Sequence, residues 1–86
     1  MNISKPSTAG TMQSSDLVVQ VEPADRLDIQ IDSTVKKQFE HLIRARVEAV
    51  LKKHGVNGAR VKLSDRGALD YAIEARVETA LRRASE

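Results

Sequence analysis

Two short segments with alternating apolar and polar residues limit the folds open to this chain of 86 residues. Residues 27–32 alternate strictly between apolar and polar side chains, and in residues 17–22 one face is apolar, with Leu17, Val19 and Val21 set against Val18, Gln20 and Glu22. A period of two is typical of a β-strand with one buried face and one solvated face. Pro23 ends the first segment, because proline cannot donate a hydrogen bond to a neighbouring strand. Both predicted strands therefore need a second layer of structure over their apolar face.

Apolar residues at spacings of three and four predict two helices. The first is predicted over residues 35–54, with Asp32, Ser33 and Thr34 as candidate N-cap residues and Gly55 just after its end. The second follows a turn at residues 64–67. The buried stripe of the first helix is predicted to contain Val35, Phe39, Leu42, Ile43, Val47, Val50 and Leu51, and that of the second Leu69, Ile73, Val77, Ala80, Leu81 and Ala84.

These elements predict an α+β fold, a two-layer sandwich in which both helices cover one face of a small β-sheet. Residues 8–12 would pair with the first alternating segment as an N-terminal hairpin, and residues 56–65 would supply a fourth strand. The order of the strands in the sheet stays open. Residues 1–7 are rich in Ser, Lys, Pro and Asn, and we predict a flexible N-terminal arm there and a single domain over residues 8–86.

Composition argues against several classes of function. The chain has no cysteine, which excludes disulfides, thiolate nucleophiles and cysteine-bound zinc. His41 and His54 have no third ligand at metal spacing, so we expect no metal site. The N-terminus lacks the apolar core of a signal peptide, and no apolar stretch approaches the roughly 18 residues of a membrane span. We therefore expect a soluble, cytoplasmic protein that does not bind membranes.

Catalysis by the chain itself is not indicated either. Asp65 and Asp70 could form an acid/base pair, but a turn residue and a favourable charge at a helix start are the simpler interpretation. No nucleophile elbow, phosphate loop or dinucleotide fingerprint is present. We expect no catalytic residue.

A small RNA-binding α+β module is the alternative from a different class. Residues 55–58 match the GXXG spacing of a KH loop, although that loop joins two helices and this one is predicted to join a helix to a strand. Phe39 and Tyr71 are the only aromatic residues, too few to stack single-stranded bases. Acidic neighbours also dilute the positive charge of the basic residues, which are Lys36, Lys37, Arg44, Arg46, Lys52, Lys53, Arg60 and Lys62.

The candidate functional residue lies in the polar segment between the first two strands. Ser14 and Ser15 occupy a predicted turn, and Asp16 can cap it through its side chain. A serine in an exposed turn on a rigid sheet is well placed for modification by another enzyme. By itself, however, a pair of serines in a turn is most often only a turn.

Five segments spread over the chain carry a resemblance to a known family. They are residues 9–16, 30–33, 35–39, 65–70 and 75–78. In these segments, and in their order, the chain resembles the citrate lyase acyl carrier protein, the gamma subunit of that complex. The resemblance implies that Ser14 holds 2′-(5″-phosphoribosyl)-3′-dephospho-coenzyme A through a phosphodiester bond, as a phosphoprotein. The family commonly has glycine where this chain has Ser15, so Ser15 is the second choice for attachment.

The resemblance implies a carrier rather than an enzyme. Its prosthetic group would hold acetyl and citryl thioesters while citrate is cleaved to oxaloacetate and acetate. The implied partners are the alpha and beta subunits of citrate lyase and the transferase that forms the holo-carrier. Since the chain has no cysteine, the thiol must come from the prosthetic group. A malonate decarboxylase-type carrier, which uses the same group, is an alternative that matches less well along the long helix and residues 67–70.

Overall fold

Four strands and two helices make up the computed structural model, which describes residues 1–33 and 39–86. In chain order they are β1 (Ser7–Gly10), β2 (Leu17–Glu22), β3 (Leu27–Ser33), α1 (Glu40–Lys53), β4 (Ala59–Asp65) and α2 (Asp70–Ser85). Both helices pack on the sheet, and the predicted α+β class is confirmed. No helix in the described part of the chain has the length and apolar content needed to cross a membrane.

The strands form one sheet in the order β1-β2-β4-β3. β1 and β2 pair antiparallel as the predicted hairpin, and β2 also pairs antiparallel with β4. β3 pairs parallel with β4, so that β4 lies between β2 and β3. The parallel pair is joined through α1, the usual connection between parallel neighbours.

One face of the sheet forms the core with the helices. Its fully buried members alternate along the strands, as the sequence predicts for Leu17, Val19 and Val21. The remaining sheet residues of the core are Ala9, Ala59, Val61 and Leu63, and the helices contribute Ile43, Val47, Val50, Leu51, Ile73, Val77, Ala80, Leu81 and Ala84. On the edge strand β3, Ile29 and Ile31 are only partly buried against this cluster.

The two helices run parallel to each other. Near the middle of α1, Arg46 forms ion pairs with Asp70 and Glu74 in the first turns of α2. At the end of α1, His54 lies 3.5 Å from Glu78, one turn further along α2. α2 packs on β1 and β2, whereas α1 packs on α2 and β3. Consequently both helices begin at the same end of the sheet.

The beginning of α1 differs from the prediction. Residues 34–38, with the predicted cap Thr34 and the predicted stripe residue Val35, lie outside the described residues. The described helix starts at Glu40, after Phe39 in the N-cap position without a side-chain cap. Asp32 and Ser33 do not cap it, because both belong to β3.

Three residues predicted in the buried stripes are exposed. Leu42 is 55% exposed, because it lies about 100° around the helix from its buried neighbour Ile43. Phe39 and Leu69 are 45% and 59% exposed. They precede the first helical turns, where the 3.6-residue periodicity does not yet fix the side-chain direction. The prediction that these three side chains are buried was therefore wrong.

The remaining boundaries shift by a few residues. β1 ends at Gly10 rather than at residue 12, because Gly10 adopts a φ of +97°. β4 starts at Ala59 rather than at residue 56. Residues 55–56 end α1 instead, since the N–H of Gly55 donates to the oxygen of Lys52 and the N–H of Val56 to that of Leu51. This is a Schellman motif with Gly55 at C′, as predicted.

The N-terminal residues run alongside the end of α2. The N–H groups of Ser4 and Lys5 both donate to the carbonyl of Ala84, at 2.9 and 3.2 Å. Ser7 already belongs to β1, and its hydroxyl donates to the carbonyl of Ala80. The flexibility expected for residues 1–7 in solution stays a prediction.

Candidate functional site

The segment 11–16 links β1 to β2 at one end of the sheet. β3 and β4 finish at this end, because β4 is antiparallel to β2 and parallel to β3. α1 and α2 begin here as well. We call this region, made of residues 11–16, residues 64–69 and the first turns of both helices, the Ser14 end.

A tight turn presents Ser14. The N–H of Asp16 donates to the carbonyl of Gln13 at 3.2 Å, which closes the turn around Ser14 and Ser15. Ser15 has a φ of 63°, a left-handed conformation that favours glycine. The family that the chain resembles commonly has glycine at this position, which agrees with the left-handed conformation of Ser15.

The Asp16 carboxylate holds the turn in place. Its Oδ2 accepts hydrogen bonds from the Thr11 hydroxyl at 2.7 Å and from the Arg76 Nη2 at 3.1 Å. Its Oδ1 accepts from the N–H of Leu17 at 2.8 Å and from the Arg76 Nε at 3.2 Å. The hydrogen bond from Thr11 is the main reason that the pKa of Asp16 falls from 3.8 to about 2, and the Leu17 N–H and Arg76 lower it further. The carboxylate is therefore charged at neutral pH.

Arg76 was missed by reasoning from residue patterns. It lies on α2, 60 residues from Asp16, and nothing in the local sequence of either residue indicates the pair. The one available signal was that residues 75–78 belong to the segments that resemble a known family. The bidentate geometry connects the turn directly to the second helix.

A second connection runs from the turn to the residues that follow β4. The N–H of Ser15 donates to the carbonyl of Arg66, and the N–H of Arg66 donates to the carbonyl of Asp16, both at 2.9 Å. Asp65, just before, is only 3% exposed. Its carboxylate accepts from the N–H of Ala68 at 2.9 Å and from the Ser33 hydroxyl at 2.7 Å. Asp65 is thus the last residue of β4, and its carboxylate both caps the turn that follows, in line with the predicted turn or cap role, and ties β3 to β4.

Gly10 allows the close approach of the two strands that carry the turn. A Cβ at this position would lie 1.9 Å from the carbonyl oxygen of Leu17 and 3.4 Å from the Arg76 Cδ. No side chain fits there without moving backbone. With the two connections above, this contact makes the turn a rigid part of the sheet end.

Ser14 is exposed at the tip of this rigid turn, together with its neighbours Met12, Gln13 and Ser15. Within the described residues its hydroxyl has no hydrogen-bond partner. The arrangement presents the Ser14 hydroxyl to solvent, where another enzyme can reach it.

The other candidate residues have structural roles. Asp70 is paired with Arg46 instead of facing Asp65. His54 occupies the C-cap position of α1, as predicted for a helix-end residue. No group of three potential metal ligands occurs among residues 1–33 and 39–86. Arg60 is neutralised by ion pairs with Glu22 and Asp28, which weakens the case for a basic RNA-binding face.

Comparisons with known proteins identify a family of acyl carrier proteins. A family model of acyl carrier proteins, described as malonate decarboxylase delta subunit, matches residues 4–84. A citrate lyase acyl carrier protein of Haemophilus influenzae (strain PittEE) is 50% identical over 86 residues, covering 100% of this chain and 90% of the relative. One from Clostridium perfringens is 48% identical over 88 residues, covering 100% of this chain and 87% of the relative.

A solved structure shares the fold. It is a chain in the crystal structure of a Pseudomonas malonate decarboxylase hetero-tetramer in complex with malonate. The TM-score is 0.69 at 20% sequence identity, with 98% of this chain and 92% of that chain covered. The two-layer architecture described above therefore also occurs in a chain that is part of a multi-subunit enzyme.

Proposed function

Because this chain belongs to the citrate lyase acyl carrier protein family, and is thus a carrier protein, we propose that it is the carrier subunit of a citrate lyase and that Ser14 is the attachment residue of its prosthetic group. The observation that carries the proposal is the geometry of Ser14. Its hydroxyl is exposed, without a partner in the described structure, on a turn held by Asp16, Arg76 and the backbone of Arg66. Membership of the family implies a covalently attached group, and the serine at this turn is suited to hold it.

The proposed group is 2′-(5″-phosphoribosyl)-3′-dephospho-coenzyme A, joined to the Ser14 oxygen by a phosphodiester bond. When bound, the group would supply the thiol that carries acetyl and citryl units as thioesters, which a chain without cysteine lacks. The protein's own contribution is to hold the attachment oxygen at a fixed point. A long arm on a fixed point raises the effective concentration of the acyl group at nearby active sites.

The proposed partners are the alpha and beta subunits of citrate lyase and the transferase that attaches the group, all in the cytoplasm. The larger subunits would exchange acetyl for citryl on the arm and cleave citryl to oxaloacetate. A malonate decarboxylase carrier is the second candidate, because the matching family model carries that description. Identity of 50% over the whole chain to a citrate lyase carrier favours the first.

Intact mass spectrometry tests the attachment residue. The unloaded protein is incubated with the holo-carrier-forming transferase and the activated precursor of the group. We expect the wild type and Ser15→Ala to gain the mass of one prosthetic group and Ser14→Ala to gain none, with the same circular dichroism for all three. Loading that persists in Ser14→Ala and disappears in Ser15→Ala would move the site to Ser15.

An activity assay separates the two carrier assignments. The loaded protein is added to citrate lyase alpha and beta subunits with citrate, and in parallel to malonate decarboxylase subunits with malonate. We expect oxaloacetate to form from citrate in the first mixture and no carbon dioxide to be released from malonate in the second. Decarboxylation of malonate without cleavage of citrate would assign the chain to the second system.

A further inference from the structure

Arg66 is an exposed arginine at the Ser14 end whose guanidinium has no ion pair or hydrogen bond to the described residues. Most arginines of the chain have such a partner, and they are Arg44, Arg46, Arg60, Arg76, Arg82 and Arg83. The one other arginine without a partner in the described structure is Arg26, which lies just before β3 at the opposite end of the sheet. Arg66 is therefore the arginine of the Ser14 end that is available to a ligand.

The main chain of Arg66 lies directly beside the serine turn. Its N–H donates to the carbonyl of Asp16 and its carbonyl accepts from the N–H of Ser15, both at 2.9 Å. Main chains paired in this way have Cα atoms about 5 Å apart, and Ser14 is one residue, about 3.8 Å, beyond Ser15. Arg66 also lines a small pocket with Met12 of the turn. The attachment oxygen is therefore within reach of the long side chain of Arg66.

The carboxylates near Arg66 do not neutralise it. Asp16 accepts its hydrogen bonds from Arg76 and other donors of the turn. Asp65 is buried, and its carboxylate accepts a backbone N–H from the turn that follows β4. Asp32 is exposed and lines the same pocket as Arg66, but no ion pair joins these two side chains in the described structure. A positive charge without a counter-ion thus lies beside Ser14.

The group proposed for Ser14 would bring that counter-ion. A phosphodiester carries one negative charge shared by two oxygens that are not part of the ester bonds. The planar guanidinium of an arginine matches such oxygens with two parallel N–H donors. Arg76 is not free for this role, because its Nε and Nη2 already donate to Asp16. The geometry therefore leaves the phosphate to Arg66.

We propose that the Arg66 guanidinium binds the phosphate of the phosphodiester that joins the prosthetic group to Ser14. This inference rests on the proposed function, because the phosphodiester belongs to the group assigned there. Binding neutralises the phosphate and directs the first segment of the arm over the end of the sheet where β3 and β4 finish. Arg66 is a binding residue for the start of the arm and has no role in the acyl chemistry at its far end.

The test places a phosphate on the Ser14 oxygen without the transferase and without the rest of the group. The full-length chain is made with phosphoserine in place of Ser14, alone and together with Arg66→Gln, Arg66→Lys or Arg26→Gln. Phosphorus NMR follows the second ionisation of the phosphate, which has a pKa of about 6 in phosphoserine. Arg26→Gln is the matched control, because it also removes an exposed arginine without a partner in the described structure. All other charged side chains are the same in every variant, so they do not affect the comparison.

A nearby positive charge favours the dianionic phosphate and lowers its pKa. We therefore expect Arg66→Gln to raise the pKa of the phosphate by about 0.5, Arg66→Lys to raise it less, and Arg26→Gln to leave it unchanged. Circular dichroism should be the same for all variants. An unchanged pKa in Arg66→Gln would overturn the proposal, since the guanidinium would then pair with Asp32 or stay in solvent. An equal rise in Arg26→Gln would overturn it too, because the effect would reflect net charge alone.

The loaded carrier gives a second readout. Its phosphorus NMR spectrum contains the phosphodiester signal and, separately, the signals of the pyrophosphate further along the arm. We expect Arg66→Gln to shift the phosphodiester signal only and Arg26→Gln to shift neither. A phosphodiester signal that does not respond to Arg66→Gln would overturn the proposal. A wild-type protein that the transferase never loads would contradict the proposed function instead, whereas the phosphoserine titration would still decide whether Arg66 binds a phosphate on Ser14.

Discussion

Ser15 has a backbone conformation that its side chain disfavours. Its φ of 63° places it in the left-handed region, which costs a residue with a Cβ roughly 1–2 kcal/mol. The chain tolerates this because the N–H of Ser15 donates to the carbonyl of Arg66 and the turn is closed by Asp16. These two hydrogen bonds hold the neighbouring Ser14 at the tip of the turn.

We predict that Ser15→Gly stabilises the protein. The relief of the left-handed conformation outweighs the greater freedom of glycine in the unfolded chain, for a net gain of about 0.5–1 kcal/mol. The unfolding temperature should rise by roughly 2–6 °C, which calorimetry measures. Ser14→Gly is the control: Ser14 has no positive φ, so that variant should be less stable than the wild type. Equal effects of the two changes would show that Ser15 is not strained.

The charge of Asp16 is the second feature at the residue scale, and it predicts a pH dependence. Hydrogen bonds from Thr11 and Leu17, with Arg76, hold its pKa at about 2 in the folded protein against 3.8. A carboxyl whose pKa is lowered by folding stabilises the protein at any pH above its pKa in the unfolded chain. This stabilisation is lost as the pH falls towards the pKa in the folded protein. The contribution should therefore be complete at pH 7 and decline from about pH 4 to about pH 2.

Asp16→Asn tests this dependence. Both carboxylate oxygens of Asp16 accept hydrogen bonds, whereas an amide has only one accepting oxygen and no charge. We therefore expect the free energy of unfolding to fall by about 1–3 kcal/mol at pH 7. The difference from the wild type in urea unfolding should shrink as the pH falls below 4. Asp32→Asn, at an exposed carboxylate without an ion pair to the described residues, should be nearly neutral at every pH. A loss that stays constant down to pH 2.5 would contradict the role of the charge.

At the scale of elements, local patterns predicted the strands and helices but not all of their ends. The alternation in β2 was sufficient to predict its buried face, and the glycine after α1 was sufficient to predict the end of that helix. Both features depend only on residues that are close in sequence. The exposure of Leu42 could not be predicted from the sequence, because both Leu42 and Ile43 fit the spacing of the apolar stripe. Only the packing of the helix shows that Ile43 is the buried one of the two. The pair formed by Asp16 and Arg76 depends on where α2 lies, which no local pattern contains.

The end of α1 provides a prediction at this scale. Gly55 has a φ of 64°, and a Cβ there would meet only the N-terminal nitrogen at 3.8 Å. The cost of Gly55→Ala is therefore conformational, about 1 kcal/mol, and should lower the unfolding temperature by roughly 4–8 °C. Gly55→Asn should be less harmful, because asparagine tolerates the left-handed region better than alanine. An alanine variant as stable as the wild type would contradict the Schellman motif.

For the whole molecule, the order of the strands decides which segments surround Ser14, the candidate attachment residue. Placing β4 between β2 and β3 brings the turn before β2, the residues after β4 and the first turns of both helices to one end. The sequence predicted the strands but left their order open, so the meeting of these segments at one end of the sheet could not be foreseen. The face of the sheet away from the helices carries polar side chains, among them the exposed Gln20, Gln30 and Lys62.

The central claim is that Ser14 anchors a prosthetic arm, and peptide mapping of the protein from its native source tests it most directly. The protein is purified with its complex, digested, and the peptide containing residues 11–16 is fragmented by mass spectrometry. We predict that this peptide carries the mass of one phosphoribosyl-dephospho-coenzyme A and that fragmentation places it on Ser14. An unmodified peptide from an active complex, or the group on any other residue, would contradict the claim.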